Sequence, residues 1–65
     1  MEYYLDICLK SCTSGHIVEI PTEEQAVRDF YEIAVDYEKS HGEQFDYADL
    51  CEKESGRQVA RYPKA

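Results

Sequence analysis

Residues Glu2 to Lys10 alternate. Tyr3, Leu5, Ile7 and Leu9 fall on one side of an extended chain, and Tyr4, Asp6, Cys8 and Lys10 on the other. A period of two with bulky side chains is the pattern of a half-buried strand. Ser11-Cys12-Thr13-Ser14-Gly15 then supplies small, polar turn formers, and His16 to Ile20 resumes the apolar run. The pattern predicts a β-hairpin with a loop of about five residues.

At Pro21 the period changes. Thr22 stands three residues before Gln25, the spacing of a capping box, and Glu23 and Glu24 fall in the first turn, where the helix dipole favours acids. Ala26, Phe30, Ile33 and Tyr37 recur at helical spacing, flanked by Val27 and Ala34, and this stripe is assigned to a core. Ser40-His41-Gly42 puts glycine where a left-handed C-cap would fall. The predicted helix runs from Thr22 or Glu23 to about His41.

The last third admits two readings. Asp46 to Glu54 has the length of a short helix capped by Asp46. A second hairpin fits better, with strands from Gln44 to Glu52 and from Arg57 to Tyr62, joined by Lys53-Glu54-Ser55-Gly56. Glycine at the fourth position suits a type I turn followed by a bulge. In that register Asp49 lies across from Arg61, Leu50 shares a face with Ala60, and Pro63 ends the strand. The order β-β-α-β-β implies an α+β fold, a four-stranded antiparallel sheet with one helix packed across one face. Residues 1–65 read as one domain, without linkers, repeats or low-complexity tracts.

Charge narrows the range of partners. Fourteen acidic residues against seven basic ones give a net charge of −7. A phosphate backbone calls for clustered Lys and Arg, which are missing, so direct nucleic-acid binding is not expected. An anionic membrane is disfavoured for the same reason, whereas a basic protein surface is attracted. No basic start precedes an apolar stretch, and no run approaches the ~20 apolar residues of a membrane span. The three cysteines, Cys8, Cys12 and Cys51, are odd in number. A reducing cytoplasm with free thiols is the expected compartment.

Candidate chemistry is sparse. Cys8, Cys12, His16 and Cys51 can be grouped as zinc ligands on paper, but they lack the two tight pairs of a structural site. Cys12 and His16 have no residue to orient the histidine and no oxyanion loop. Gly15, Gly42 and Gly56 are isolated, so no phosphate-cradling loop exists. Neither catalysis, a metal nor a cofactor is expected.

Two surfaces remain. Asp29, Glu32 and Asp36 recur at spacings that return to one helix face, forming an anionic ridge extended in sequence by Glu43, Asp46 and Asp49. A solvated helix face has a similar composition, usually with the signs more mixed. The second surface is the sheet face away from the helix, carrying Tyr4, Asp6, Cys8, Tyr47, Asp49, Cys51 and Val59. That face is less polar than an open sheet usually is. In size and charge the chain resembles, as a class and through no motif, the small acidic anti-CRISPR and antirestriction proteins of phages and mobile elements. The resemblance implies an inhibitor that imitates DNA on a basic protein surface, such as a nuclease or a nucleic-acid-binding complex. The alternative is a structural or regulatory subunit that dimerises through its open sheet face.

Overall fold

In a computed structural model, which describes residues 1–63, the first strand lies inside the sheet and not at its edge. Strand β1 (Glu2–Leu9) pairs on one side with β2 (Thr13–Glu19) and on the other with β3 (Phe45–Glu52); β4 (Gln58–Tyr62) completes the order β2-β1-β3-β4. All three pairings are antiparallel. Helix α1 (Glu23–His41) and a short 3-10 turn (Gly42–Gln44) connect β2 to β3. The α+β arrangement expected from the sequence is the one found.

Each predicted strand is present, but the first hairpin is tighter than expected. Its loop is only Lys10-Ser11-Cys12, closed by a 2.8 Å bond from the Leu9 N–H to the Cys12 carbonyl. Thr13, Ser14 and Gly15 have turn composition yet belong to the β1–β2 ladder. Gly15 shows why. A Cβ there would lie 3.2 Å from Asp6 Oδ1 and 3.6 Å from the Tyr4 ring, so glycine lets the two strands carry those side chains side by side. In the second hairpin Asp49 stands across from Arg61 and Leu50 across from Ala60, the predicted register. Gly56 adopts φ 73°, the left-handed conformation that its turn requires.

Thr22 caps the helix, its Oγ1 accepting a 3.2 Å bond from the Gln25 N–H. At the other end Gly42 has φ 56° and ψ −123°, which is not the left-handed cap expected but a conformation open essentially to glycine. Its N–H still reaches the Glu38 carbonyl.

The buried line of the helix is Ala26, Phe30 and Ala34, four residues apart. Ile33 and Tyr37, predicted to lie on that line, are half-buried at its margin. Alanine wins the centre because the sheet beneath also offers alanines, Ala48 and Ala60, and small residues on both sides let the backbones approach. Tyr3, Leu5, Ile7, Phe45 and Leu50 complete the core. Burying Phe30 fully contributes roughly 1.5–3 kcal/mol relative to leaving it exposed.

The helix is displaced across the sheet. It packs chiefly on β3 and β4, touches β1, and makes almost no contact with β2. Two ties hold it there. The Tyr62 hydroxyl donates a 2.8 Å bond to Glu38 while the Tyr31 and Tyr62 rings meet edge to face, and Arg57, beyond the β3–β4 turn, pairs with Glu23 at the helix start. No helix among the described residues is long and apolar enough to cross a membrane.

Candidate functional site

No described residue covers the sheet face opposite the helix, and the register arranges its side chains in rows. Ile17, Tyr4 and Cys51 form the first row, across β2, β1 and β3. Gly15, Asp6, Asp49 and Arg61 form the second, across all four strands. Thr13, Cys8 and Tyr47 form the third. Tyr4 is 42% exposed and Ile17 52%, and they are cross-strand neighbours, so the first row is an apolar patch open to solvent.

Charge interrupts that patch. Asp6 and Asp49 face each other across β1 and β3, and Arg61 approaches only Asp49, with Nε 3.3 Å from Oδ1. That oxygen is shielded from solvent and makes no hydrogen bond, so the contact is an ion pair and no more. The Arg61 guanidinium also lies over the Tyr47 ring, 4.4 Å from its centroid, a cation–π placement.

The Cys51 thiol on this face is held above its ordinary range. Burial, then the charges of Asp49 and Asp6, push the Cys51 thiol above its ordinary 9.0. The Tyr47 phenol is likewise raised, chiefly by its hydrogen bond with Cys8. A thiol held protonated is a poor nucleophile. The four residues that could be grouped as zinc ligands are also dispersed. Cys8 and Cys51 lie on the open face, His16 lies on the helix side of β2, and Cys12 sits in the loop. Among the described residues no three His, Cys, Asp or Glu side chains gather as a ligand group.

The helix ridge is only partly as expected. Glu32 and Asp36 are exposed, but Asp29 is half-buried and borders a groove lined by Leu5, Val18, Ile20, Phe30 and Ile33. The displacement of the helix produces this groove, because the described residues leave the helix side of β2 only partly covered. Glu43 in the 3-10 turn and Asp46 are exposed. Asp46 is the extra β3 residue where the register with β1 shifts between Cys8 and Leu9. Asp49 does not continue the ridge, since it stands on the far side of the sheet beside Arg61.

Salt bridges cluster away from the ridge. Arg28 pairs with Glu24, Lys53 with Glu2, and Arg57 with both Glu23 and Glu52. These surround the start of the helix and the β3–β4 turn. Among the described residues Asp29, Glu32, Asp36, Glu43 and Asp46 have no ion-pair partner.

Of the residues expected on the open sheet face, Val59 differs in place. It lies where the β3–β4 register shifts, and it packs in part against the core. Ile17 was missed as a member of that face, although its signal was present. Its position in the hairpin opposite Tyr4 depends on the loop length, which was overestimated. The groove had no signal in sequence, because the lateral position of a helix on a sheet is set by ties such as Tyr62–Glu38. Comparison with protein families, with curated proteins and with solved structures found no match to this chain.

Proposed function

We propose that this protein is a non-enzymatic binding module that docks its acidic helix face on a basic surface of a partner protein and blocks it. One observation carries the reading. The domain's arginines all pair with other acids, while the carboxylates of Asp29, Glu32 and Asp36 have no ion-pair partner among the described residues. Like charges this close repel one another in the free protein, and a partner's Lys and Arg would remove that repulsion. Surfaces evolved to hold nucleic acid are the natural counterpart, because they cluster basic residues without acids between them. The ridge would there take the place of phosphates, and the partner would be inhibited by occupancy.

The test starts with affinity capture from cells that make the protein, followed by association kinetics with the partner recovered. The triple variant Asp29→Asn, Glu32→Gln, Asp36→Asn should keep or slightly raise its melting temperature and associate more slowly. The difference should shrink as salt shortens the Debye length to about 8 Å. Unchanged association at low salt would remove the ridge from the mechanism.

One observation favours a second reading. Tyr4 and Ile17 leave an apolar patch on the sheet face, which suits a homodimer formed through that face. Sedimentation of the protein and of a Tyr4→Ser, Ile17→Ser variant separates the two. A dimer lost in the variant supports this reading, and a monomer at all concentrations removes it.

A further inference from the structure

The two edges of the sheet are protected unequally. Strand β4 has five residues, carries a register shift and is ended by Pro63, all devices that blunt an edge. Strand β2 has seven residues and keeps a continuous register with β1, without proline or lysine.

The hydrogen bonds that close the β1–β2 ladder fix which backbone groups on this edge are free. The Ile20 N–H bonds the Met1 carbonyl at 3.0 Å, and the Leu9 N–H bonds the Cys12 carbonyl at 2.8 Å. Bonded pairs alternate in an antiparallel ladder, so Ser14, His16 and Val18 turn their backbone groups toward β1. Thr13, Gly15, Ile17 and Glu19 turn theirs outward.

Beside this edge lies the groove bordered by Val18 and Ile20 on the β2 side and by Asp29 and Ile33 on the helix. Its volume, about 210 Å³, is below the ~300 Å³ at which sites for whole small molecules begin. It suits one or two apolar side chains. Asp29 borders it, and the unpaired acids Glu32 and Asp36 continue from Asp29 along the same face of the helix.

We propose that the β2 edge and this groove take an extended segment of the partner protein, with alternating apolar and basic residues, as a fifth strand. The inference rests on the acidic docking reading and specifies its partner. A strand added about 4.8 Å from β2 bonds the outward groups of Thr13, Gly15, Ile17 and Glu19. Alternate side chains then turn to the helix side, where the apolar ones enter the groove and the basic ones reach the acids. Main-chain bonds supply affinity and the alternating side chains supply selectivity, as in other strand additions.

The probe is an eight-residue peptide of alternating lysine and valine, compared with the same peptide N-methylated on its four central residues. N-methylation keeps the charge and side chains but removes the N–H groups that a ladder needs. Binding is followed by NMR on the labelled full chain at low salt. The parent peptide should bind about tenfold more tightly than the methylated one, and should slow amide exchange at Thr13, Gly15, Ile17 and Glu19. Ile17→Pro removes one outward N–H without touching the β1 ladder. A variant that keeps the parent's spectrum should lose about tenfold in affinity. Equal binding of the two peptides, with shifts confined to Asp29, Glu32 and Asp36, overturns the added strand and leaves acidic docking standing. Binding of neither peptide overturns both.

Discussion

Asp6 and Asp49 stand directly opposite each other on neighbouring strands, and among the described residues only Asp49 has a cation beside it. Like charges in that position are destabilising, by an amount comparable to the roughly 0.2–1 kcal/mol that favourable cross-strand pairs contribute. Asp6→Asn should therefore raise the urea midpoint, with a gain of about 0.5 kcal/mol. Arg61→Ala should lower it, because it leaves both carboxylates without a cation and uncovers the Tyr47 ring. In a double-mutant cycle the cost of Arg61→Ala should shrink once Asp49 is replaced by Asn. An undiminished cost would show that Arg61 acts through Tyr47 alone.

The placement of the helix stripe can be tested by comparing two truncations. Phe30→Ala removes a fully buried ring and should cost about 3–5 kcal/mol, enough to unfold so small a domain. Ile33→Ala, at the half-buried margin, should cost about 1 kcal/mol and leave a folded protein. Equal costs in chemical denaturation would place both on the buried line and contradict the helix displacement.

Glycine is required at two turns for different reasons. Apart from adjacent backbone, no atom of the described residues lies within 4 Å of where a Cβ would stand at Gly42 or Gly56, so the cost of alanine is conformational. Gly56→Ala should cost about 1–2 kcal/mol for the left-handed conformation. Gly42→Ala should cost more, up to about 3 kcal/mol, because its ψ of −123° lies outside even that region. Thermal melts of the two variants would reverse in order if the turn after the helix could readjust.

Alkaline stability should depend on Tyr62 and Cys51. The hydrogen bond to Glu38 raises the Tyr62 phenol above its ordinary 10.0, and burial raises the Cys51 thiol above 9.0. In both cases the unfolded chain gives up its proton first. The stabilisation is therefore complete below the ordinary values and is lost as pH rises through the higher folded ones. Urea midpoints should fall above pH 9 to 10, and the fall should be shallower in Tyr62→Phe and Cys51→Ala. An unchanged slope in both variants would mean that other groups carry the alkaline transition.

Much of the architecture was legible in the order of residues. The alternation from Tyr3 to Leu9, the Thr22 cap and the glycine turn at Gly56 are local signals with local causes, and each element they predict is present. What was not legible depended on distance between elements. Thr13-Ser14-Gly15 has the composition of a loop, yet it pairs with Cys8, Ile7 and Asp6 in the β1–β2 ladder. Ile33 and Tyr37 outweigh Ala26 and Ala34 in hydrophobicity, yet close approach to Ala48 and Ala60 selects the alanines for the buried line. The ridge of Asp29, Glu32 and Asp36 was visible as a spacing. That Asp29 borders a groove was not, because the groove exists only where the helix leaves β2 uncovered.

The strand order also governs when this fold can form as the chain is made. Hairpin β1–β2 is complete once residue 19 has been added, but β1 has its second neighbour in β3, where Tyr3 pairs with Glu52. During synthesis the hairpin therefore waits with Tyr3, Leu5 and Ile7 uncovered and the β3 side of β1 unpaired. A two-stranded hairpin alone is marginal in water, and pairing across so long a separation must first overcome loop-closure entropy. Until β3 is available, the core-facing side chains of β1 and one of its edges stay open to water.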